Sequence, residues 1–166
     1  MNNKLKITTM RQLKALSYFI FHIFLYVAIF VYLKFDTDFF VIFGPMAVFL
    51  VLPAMFLHIE YYLRNKNEEY ELCHDKIIRR KDDIEDIYNK EDINKIEVNV
   101  SPNYYRSNIY VTAFENYHFA KVYLVSGEIL YITSLLAPGG IDKAFSLYLK
   151  EIPFRRIKRI FATTLY

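Results

Sequence analysis

The sequence predicts a helical hairpin that crosses a membrane twice, followed by an all-β barrel or sandwich capped by a C-terminal helix. Three features carry this expectation. Residues 15–33 and 39–59 form runs of nineteen and twenty-one residues without a formal charge, joined by Lys34-Phe35-Asp36-Thr37-Asp38. Residues 70–134 break into short β-prone runs separated by turn residues. From Ile141 onward the apolar positions recur every three to four residues, the period of a helix packed on one side.

As helices the two runs measure about 28 Å and about 31 Å, close to the ~30 Å hydrocarbon core of a bilayer. Both are apolar around their whole circumference, which calls for lipid rather than a protein groove. The first run is too long for a cleaved leader, and the YLKFDTDFF behind it has no small-residue cleavage site. Five connecting residues make the helices antiparallel. Lys4, Lys6, Arg11 and Lys14 precede the pair, Arg64 and Lys66 follow it, and the connection sets Lys34 against Asp36 and Asp38. Positive flanks stay in the cytoplasm. Residues 1–14 are therefore expected as a basic cytoplasmic N-terminus and 15–63 as the transmembrane hairpin (15–33, 39–59). Residues 65–166 follow as a cytoplasmic β-rich domain, in a multi-pass protein of the cell's inner membrane. His22, His58 and Glu60 lie toward the cytoplasmic ends, where an interfacial position suits them better than an ion pathway. Pro45 and Pro53 are expected to shape the second helix.

Past the polar linker 65–69, Tyr70–Cys73 and Ile77–Arg80 flank His74-Asp75-Lys76 as a hairpin, and Ile84–Tyr88 is a third strand. From Ile96 to Ser101, apolar residues alternate with Glu97, Asn99 and Ser101, which is a half-buried strand. Strands are expected at Asn108–Phe114, Phe119–Val125 and Glu128–Ser134, with Ser126-Gly127 as a tight turn. Pro138-Gly139-Gly140 breaks the pattern. The helix from Ile141 to Ile152 carries Asp142 in its first turn, which suits the helix dipole, and Pro153 stops it.

The net charge of +3 resides in the first 64 residues, because from Asn65 on fifteen basic side chains meet fifteen acidic ones. That balance argues against nucleic acid as a partner. The single cysteine, Cys73, excludes an internal disulfide. No Cys-x-x-Cys, no His-x-x-x-His and no glycine-rich phosphate loop occurs, so no metal, cofactor or catalytic residue is expected. Cys73 and His74 are strand neighbours pointing to opposite faces. Arg79-Arg80-Lys81 is followed at once by Asp82 and Asp83 and reads as a solvated strand end.

Two segments are candidate binding surfaces. FRRIKRIF, residues 154–161, places Phe154, Ile157, Ile160 and Phe161 within a third of a helical wheel and Arg155, Arg156, Lys158 and Arg159 opposite. Such a basic amphipathic helix is expected to dock on the inner leaflet, each cation gaining about 1 kcal/mol near anionic lipid. In SPNYYRSN, residues 101–108, Tyr104, Tyr105 and Arg106 could stack on and pair with a ligand or partner.

The runs YELCHDKIIRRK, EDINKIEVNVS and KVYLVSGEILYITSLL with a closing helix resemble the small bacterial membrane-anchored pleckstrin-homology-like (PH-like) domain proteins. These often carry a pair of membrane helices ahead of the domain. The resemblance implies a helix-capped β-barrel used for binding or scaffolding, usually without catalysis. The first expectation for function is therefore a non-enzymatic inner-membrane protein whose cytoplasmic domain binds lipid headgroups, a protein partner or a second copy of itself. A second is a membrane-disrupting anti-phage effector, in which the barrel senses a cyclic oligonucleotide. A third is a membrane-bound immunity protein against a toxin.

Overall fold

The computed structural model describes residues 3–34, 36–104, 112–137, 140–149 and 151–165. Its first element corrects the expectation of an N-terminal tail: Asn3–Lys6 is a strand, β1. Two helices follow, α1 (Thr9–Tyr32) and α2 (Thr37–Asn65), and only then β2 (Glu68–Leu72), which pairs antiparallel with β1. The hairpin is thus an insertion between two paired strands, not a segment placed ahead of the domain. The pairing Leu5↔Tyr70 points both side chains into the core, where each is buried. Leu5 is the one large apolar residue of a basic stretch, and its burial stabilises by roughly 2 kcal/mol.

Both helices are long and apolar enough to cross a membrane. Thr8 caps α1, its hydroxyl accepting from the Arg11 amide at 3.3 Å. Lys34, at φ 52°, ends the helix. Asp36 caps α2 by accepting from the Phe39 amide at 3.0 Å, and Asp38 in the first turn meets the positive end of the dipole. At the tip Phe30 contacts Phe39 and Phe40, with ring centroids 5.7 and 5.4 Å apart. The helices run beyond the uncharged stretches. Arg11, Lys14, Glu60, Arg64 and Asn65 all extend them on the domain side.

β1 and β2 continue into β3 (Lys76–Lys81) and β4 (Ile84–Asn89), giving a sheet in the order β1-β2-β3-β4. The β3–β4 turn is Asp82-Asp83, both at positive φ (48° and 67°), as a two-residue hairpin requires. The charges of Arg80 and its neighbours are used across this sheet. Lys6, Glu69, Arg80 and Glu85 stand in one row of alternating sign, with ion-pair distances of 3.5, 3.6 and 2.7 Å. Arg79 points the other way and bonds buried Glu68 at 2.8 Å.

The second sheet has the order β7-β6-β5-β8, from β5 (Ile93–Val100), β6 (Phe119–Leu124), β7 (Ile129–Thr133) and β8 (Phe154–Lys158). β4 and β5 do not pair, so the two sheets form a sandwich and not a closed barrel. Between them lies a core of Leu5, Tyr70, Leu72, Ile77, Ile96, Val98, Val122 and Ile132, sealed by Ile141 and Phe145 of α3 (Ile141–Tyr148) and by Leu149 just after it. The cap is as expected, though it ends earlier than Ile152.

One expectation lies largely outside the described residues and another fails. The strand Asn108–Phe114 falls largely outside the described residues, and its visible end is a short 3-10 helix, Ala113–Asn116. The cause is a capping box: the Thr112 amide donates to Glu115 Oε2 at 3.2 Å. The basic amphipathic helix at 154–161 does not form, since its first five residues are β8, parallel to β5. β5 offers an open edge, and the chain joins it through Ile96 N–Pro153 O and Arg159 N–Val100 O bonds of 2.8 Å each. Satisfying that edge outweighs what an eight-residue helix gains on its own.

Candidate functional site

Register determines which side chains share the outer face of the second sheet. Arg155, Glu97, Lys121 and Tyr131 form one row across β8, β5, β6 and β7; Ile157, Asn99, Phe119 and Thr133 form the next. Along this face Lys95 Nζ donates to Glu97 Oε1 at 2.9 Å and lies 4.3 Å above the Tyr123 ring, while the Tyr123 hydroxyl donates to Glu97 Oε2 at 2.8 Å. Burial disfavours the charge on Glu97, but the bonds from Lys95 and Tyr123 outweigh it and hold its carboxyl below the usual range. Burial and then the Glu97 carboxylate push the Tyr123 hydroxyl up to about 12.

The last turns of α2 rest on the other part of this face. Ala54, Leu57, Tyr61 and Asn65 recur at three- and four-residue spacing, and all four are fully buried. Ala54, Leu57 and Tyr61 pack with Tyr117, Phe119 and Leu135. The Asn65 amide group donates to the Tyr131 carbonyl at 2.7 Å, and its oxygen accepts from the Thr133 amide at 3.0 Å, closing the end of β7. The Arg64 guanidinium lies 4.2 Å above the Tyr131 ring, and Lys121 approaches the same ring at 5.5 Å. Tyr131 thus sits among cations from a helix end and a strand, a geometry worth about 0.5–2 kcal/mol per contact.

The C-terminal tail fixes the joint. Past β8 the chain crosses α2, where Glu60 accepts from the Thr163 hydroxyl at 2.9 Å and from the Thr164 amide and hydroxyl at 2.5 Å each. Tyr61 donates its hydroxyl to the Ala162 carbonyl at 2.5 Å. Phe161 stacks on Phe56 at 6.0 Å and meets Phe114 at 6.1 Å. On the opposite side, Asn116 Nδ2 donates to the Ala15 carbonyl of α1 at 3.4 Å.

The expected cations therefore divide by the two-residue period of a strand rather than sharing a helical face. Arg155 and Ile157 point to the α2 side. Phe154, Arg156 and Lys158 point to the core side, where Phe154 packs against the core edge. Arg156 lies 5.2 Å over the Phe154 ring and 3.7 Å from Asp142 of the cap. Arg159 follows the strand, and Phe161 belongs to the α2 joint.

Of the other segment, Tyr105 and Arg106 lie outside the described residues. Tyr104 turns inward. Its ring centroid is 4.7 Å from that of His118, and its hydroxyl is 3.3 Å from His118 Nε2. His118 Nδ1 donates to the Asn116 carbonyl at 3.0 Å, which leaves Nε2 to accept from Tyr104. Burial depresses the His118 pKa to about 4, against the bond to Asn116 and the charge of Asp142.

Sequence reasoning misses Tyr61 and Asn65, which read as linker or helix end, while Glu60 and Arg64 read as an interfacial group and a basic flank and not as parts of a joint. The available signal was the spacing of Tyr61 and Asn65 with Ala54 and Leu57, a stripe that no lipid-facing helix needs. Thr163 and Thr164 left no signal, since their partner lies a hundred residues away.

Residues 4–139 match the PH domain family, a span that includes β1 from Lys4 on, both helices of the hairpin and β2 to β7. No curated protein and no solved structure matches the chain.

Proposed function

Because the chain belongs to the PH domain family, we propose that it is a non-enzymatic membrane protein whose hairpin spans the bilayer and holds a cytoplasmic PH sandwich as a binding module for the headgroups of that membrane. The observation that carries this reading is the joint. Ala54, Leu57, Tyr61 and Asn65 of α2 are built into the outer face of the second sheet. A flexible tether would leave the domain free to turn, whereas this joint fixes the orientation of the domain relative to α2. Beside the joint the outer face of the second sheet bears Arg64, Lys95 and Arg155 next to Tyr123 and Tyr131, with Lys121 buried beneath them. Cations near an anionic leaflet gain about 1 kcal/mol each, and fixed orientation removes the ordering cost that a tethered domain meets on each encounter. Basic flanks at Lys4, Lys6, Arg11 and Lys14 and at Arg64 and Lys66 support a cytoplasmic location for both ends of the hairpin.

The test uses the full chain in nanodiscs of phosphatidylcholine alone and of phosphatidylcholine with phosphatidylglycerol. Amide hydrogen exchange at residues 93–100, 119–124 and 154–161 is expected to slow in the anionic discs. Equal exchange in both would reject headgroup binding and assign the surface to a protein partner.

A further inference from the structure

We propose that the rim of the β domain is itself sunk into the bilayer, with acyl chains occupying the groove between α2 and the C-terminal tail. This rests on the reading that the hairpin spans the membrane.

The first argument is length. On α1 the domain holds Ala15 and touches Phe19; on α2 it holds every contact residue from Ala54 to Asn65. The parts of the helices that project beyond it are residues 20–32 and 37–53. At 1.5 Å per residue these reach about 20 Å and about 26 Å, and any tilt shortens both. The hydrocarbon core is about 30 Å thick. A domain standing clear of the bilayer leaves the hairpin short by one to two turns.

The second argument is the tip. Lys34, Asp36 and Asp38 are all exposed there. Stopping short would leave them inside the hydrocarbon, at a cost per charge that rises toward about 2.5–3.5 kcal/mol at the bilayer centre. The tip must therefore emerge on the far side, and the missing length must come from the domain side.

The third argument is what the domain offers at that level. Phe114, Ile160 and Phe161 stand beside Leu52 and Phe56 of α2 and enclose a groove of about 940 Å³ whose lining is almost wholly apolar. Ile160 is 78% exposed. A large exposed apolar side chain next to a lipid-facing helix, followed by the polar clamp at Thr163 and Thr164, repeats on the domain the boundary between hydrocarbon and headgroups. The groove is continuous with the exposed face of α2 at Phe49 and Leu52. The same acyl chains that cover one cover the other.

The experiment uses the full chain carrying Cys73→Ser and one new cysteine, labelled with an environment-sensitive fluorophore. Phosphatidylcholine vesicles with brominated acyl chains quench from the lipid, and iodide quenches from the water. The three sites are Phe49→Cys on α2, Ile160→Cys on the rim and Val125→Cys in the β6–β7 turn, all at least 70% exposed, so the substitutions leave the core intact. The expected result is bromolipid quenching and iodide protection at positions 49 and 160, with iodide quenching at 125. Iodide quenching at 160 with bromolipid quenching at 49 overturns the seating of the rim and leaves the spanning hairpin standing. Iodide quenching at 49 overturns both. Equal bromolipid quenching at 125 and 160 also overturns the proposal, because the depth would not belong to the rim.

Discussion

The carboxylate of Glu60 accepts hydrogen bonds from the backbone amide and the hydroxyl of Thr164, each at 2.5 Å, across 104 residues of chain. With Thr163 as a third donor at 2.9 Å, this one side chain pins Thr163 and Thr164 to the helix that carries it. Hydrogen bonds to a charged acceptor contribute about 1.5–3 kcal/mol. Glu60→Ala is expected to destabilise the full chain by about 2 kcal/mol and to lower its melting temperature in detergent by roughly 4–8 °C. Amide exchange at 162–165 should rise in the same variant. Unchanged exchange there would show that the tail is held by Phe161 alone.

The joint itself predicts an asymmetry along α2. Leu57 is fully buried against the domain, while Leu52, one and a half turns away, is 50% exposed on the groove side. Leu57→Ala should cost about 2–5 kcal/mol through lost burial and the cavity left behind. Leu52→Ala should change stability in detergent by less than about 1 kcal/mol, as exposed positions do. Thermal unfolding of the two variants followed by circular dichroism compares them directly; equal losses would mean that α2 does not rest on the sheet.

Gly140 precedes α3 at φ 110°, a conformation that strains any other residue, and an added Cβ would lie 3.1 Å from Asp142 Oδ1 and 3.2 Å from the Tyr104 hydroxyl. Gly140→Ala therefore combines backbone strain of about 1–3 kcal/mol with displacement of Tyr104 from His118. Loss of stability in thermal unfolding checks the first. A shift in the His118 imidazole resonances by NMR checks the second.

His118 makes stability depend on pH. Its folded pKa of about 4 lies below the ordinary value of 6.5. Between those values the unfolded chain binds the proton and the folded chain does not, so falling pH favours unfolding throughout that window. The full effect amounts to about 3 kcal/mol. Stability is complete above pH 6.5 and declines toward pH 4. Glu68 and Glu97, whose carboxyls titrate below the ordinary 4.5, add a further loss in more acid solution. His118→Gln should lower stability at pH 7 and flatten the slope between pH 6.5 and 4. An unaltered slope would assign it to other groups.

How much was legible in the sequence depended on how local the cause was. The two helices and the strand pairs around Asp82-Asp83 and Gly127 follow from hydrophobic runs and turn residues within a few positions. β1 was not legible, because Asn3–Lys6 has a single apolar residue and becomes a strand only when Tyr70 is beside it. β8 was misread because FRRIK satisfies the helical period in isolation and the strand period in the sheet. The open edge of β5, more than fifty residues earlier, decided between them. The same distance hid the joint: Glu60 and Asn65 look like the end of a membrane helix until Thr164 and Thr133 are known to meet them.

The place of β1 also restricts the hairpin in a way that charge does not. Lys4 pairs with Glu71 and Lys6 with Glu69, so the residues just before α1 and just after α2 are hydrogen-bonded to each other. Both ends of the insertion must lie on one side of any bilayer it enters, and the number of crossings can only be even. A single crossing, whichever way round, would tear β1 from the sheet. The order of synthesis follows too. β1 leaves the ribosome before the hairpin, yet has no partner until the whole hairpin and then residue 72 have emerged. Insertion therefore precedes closure of the first sheet, and Leu5 waits uncovered until it is complete.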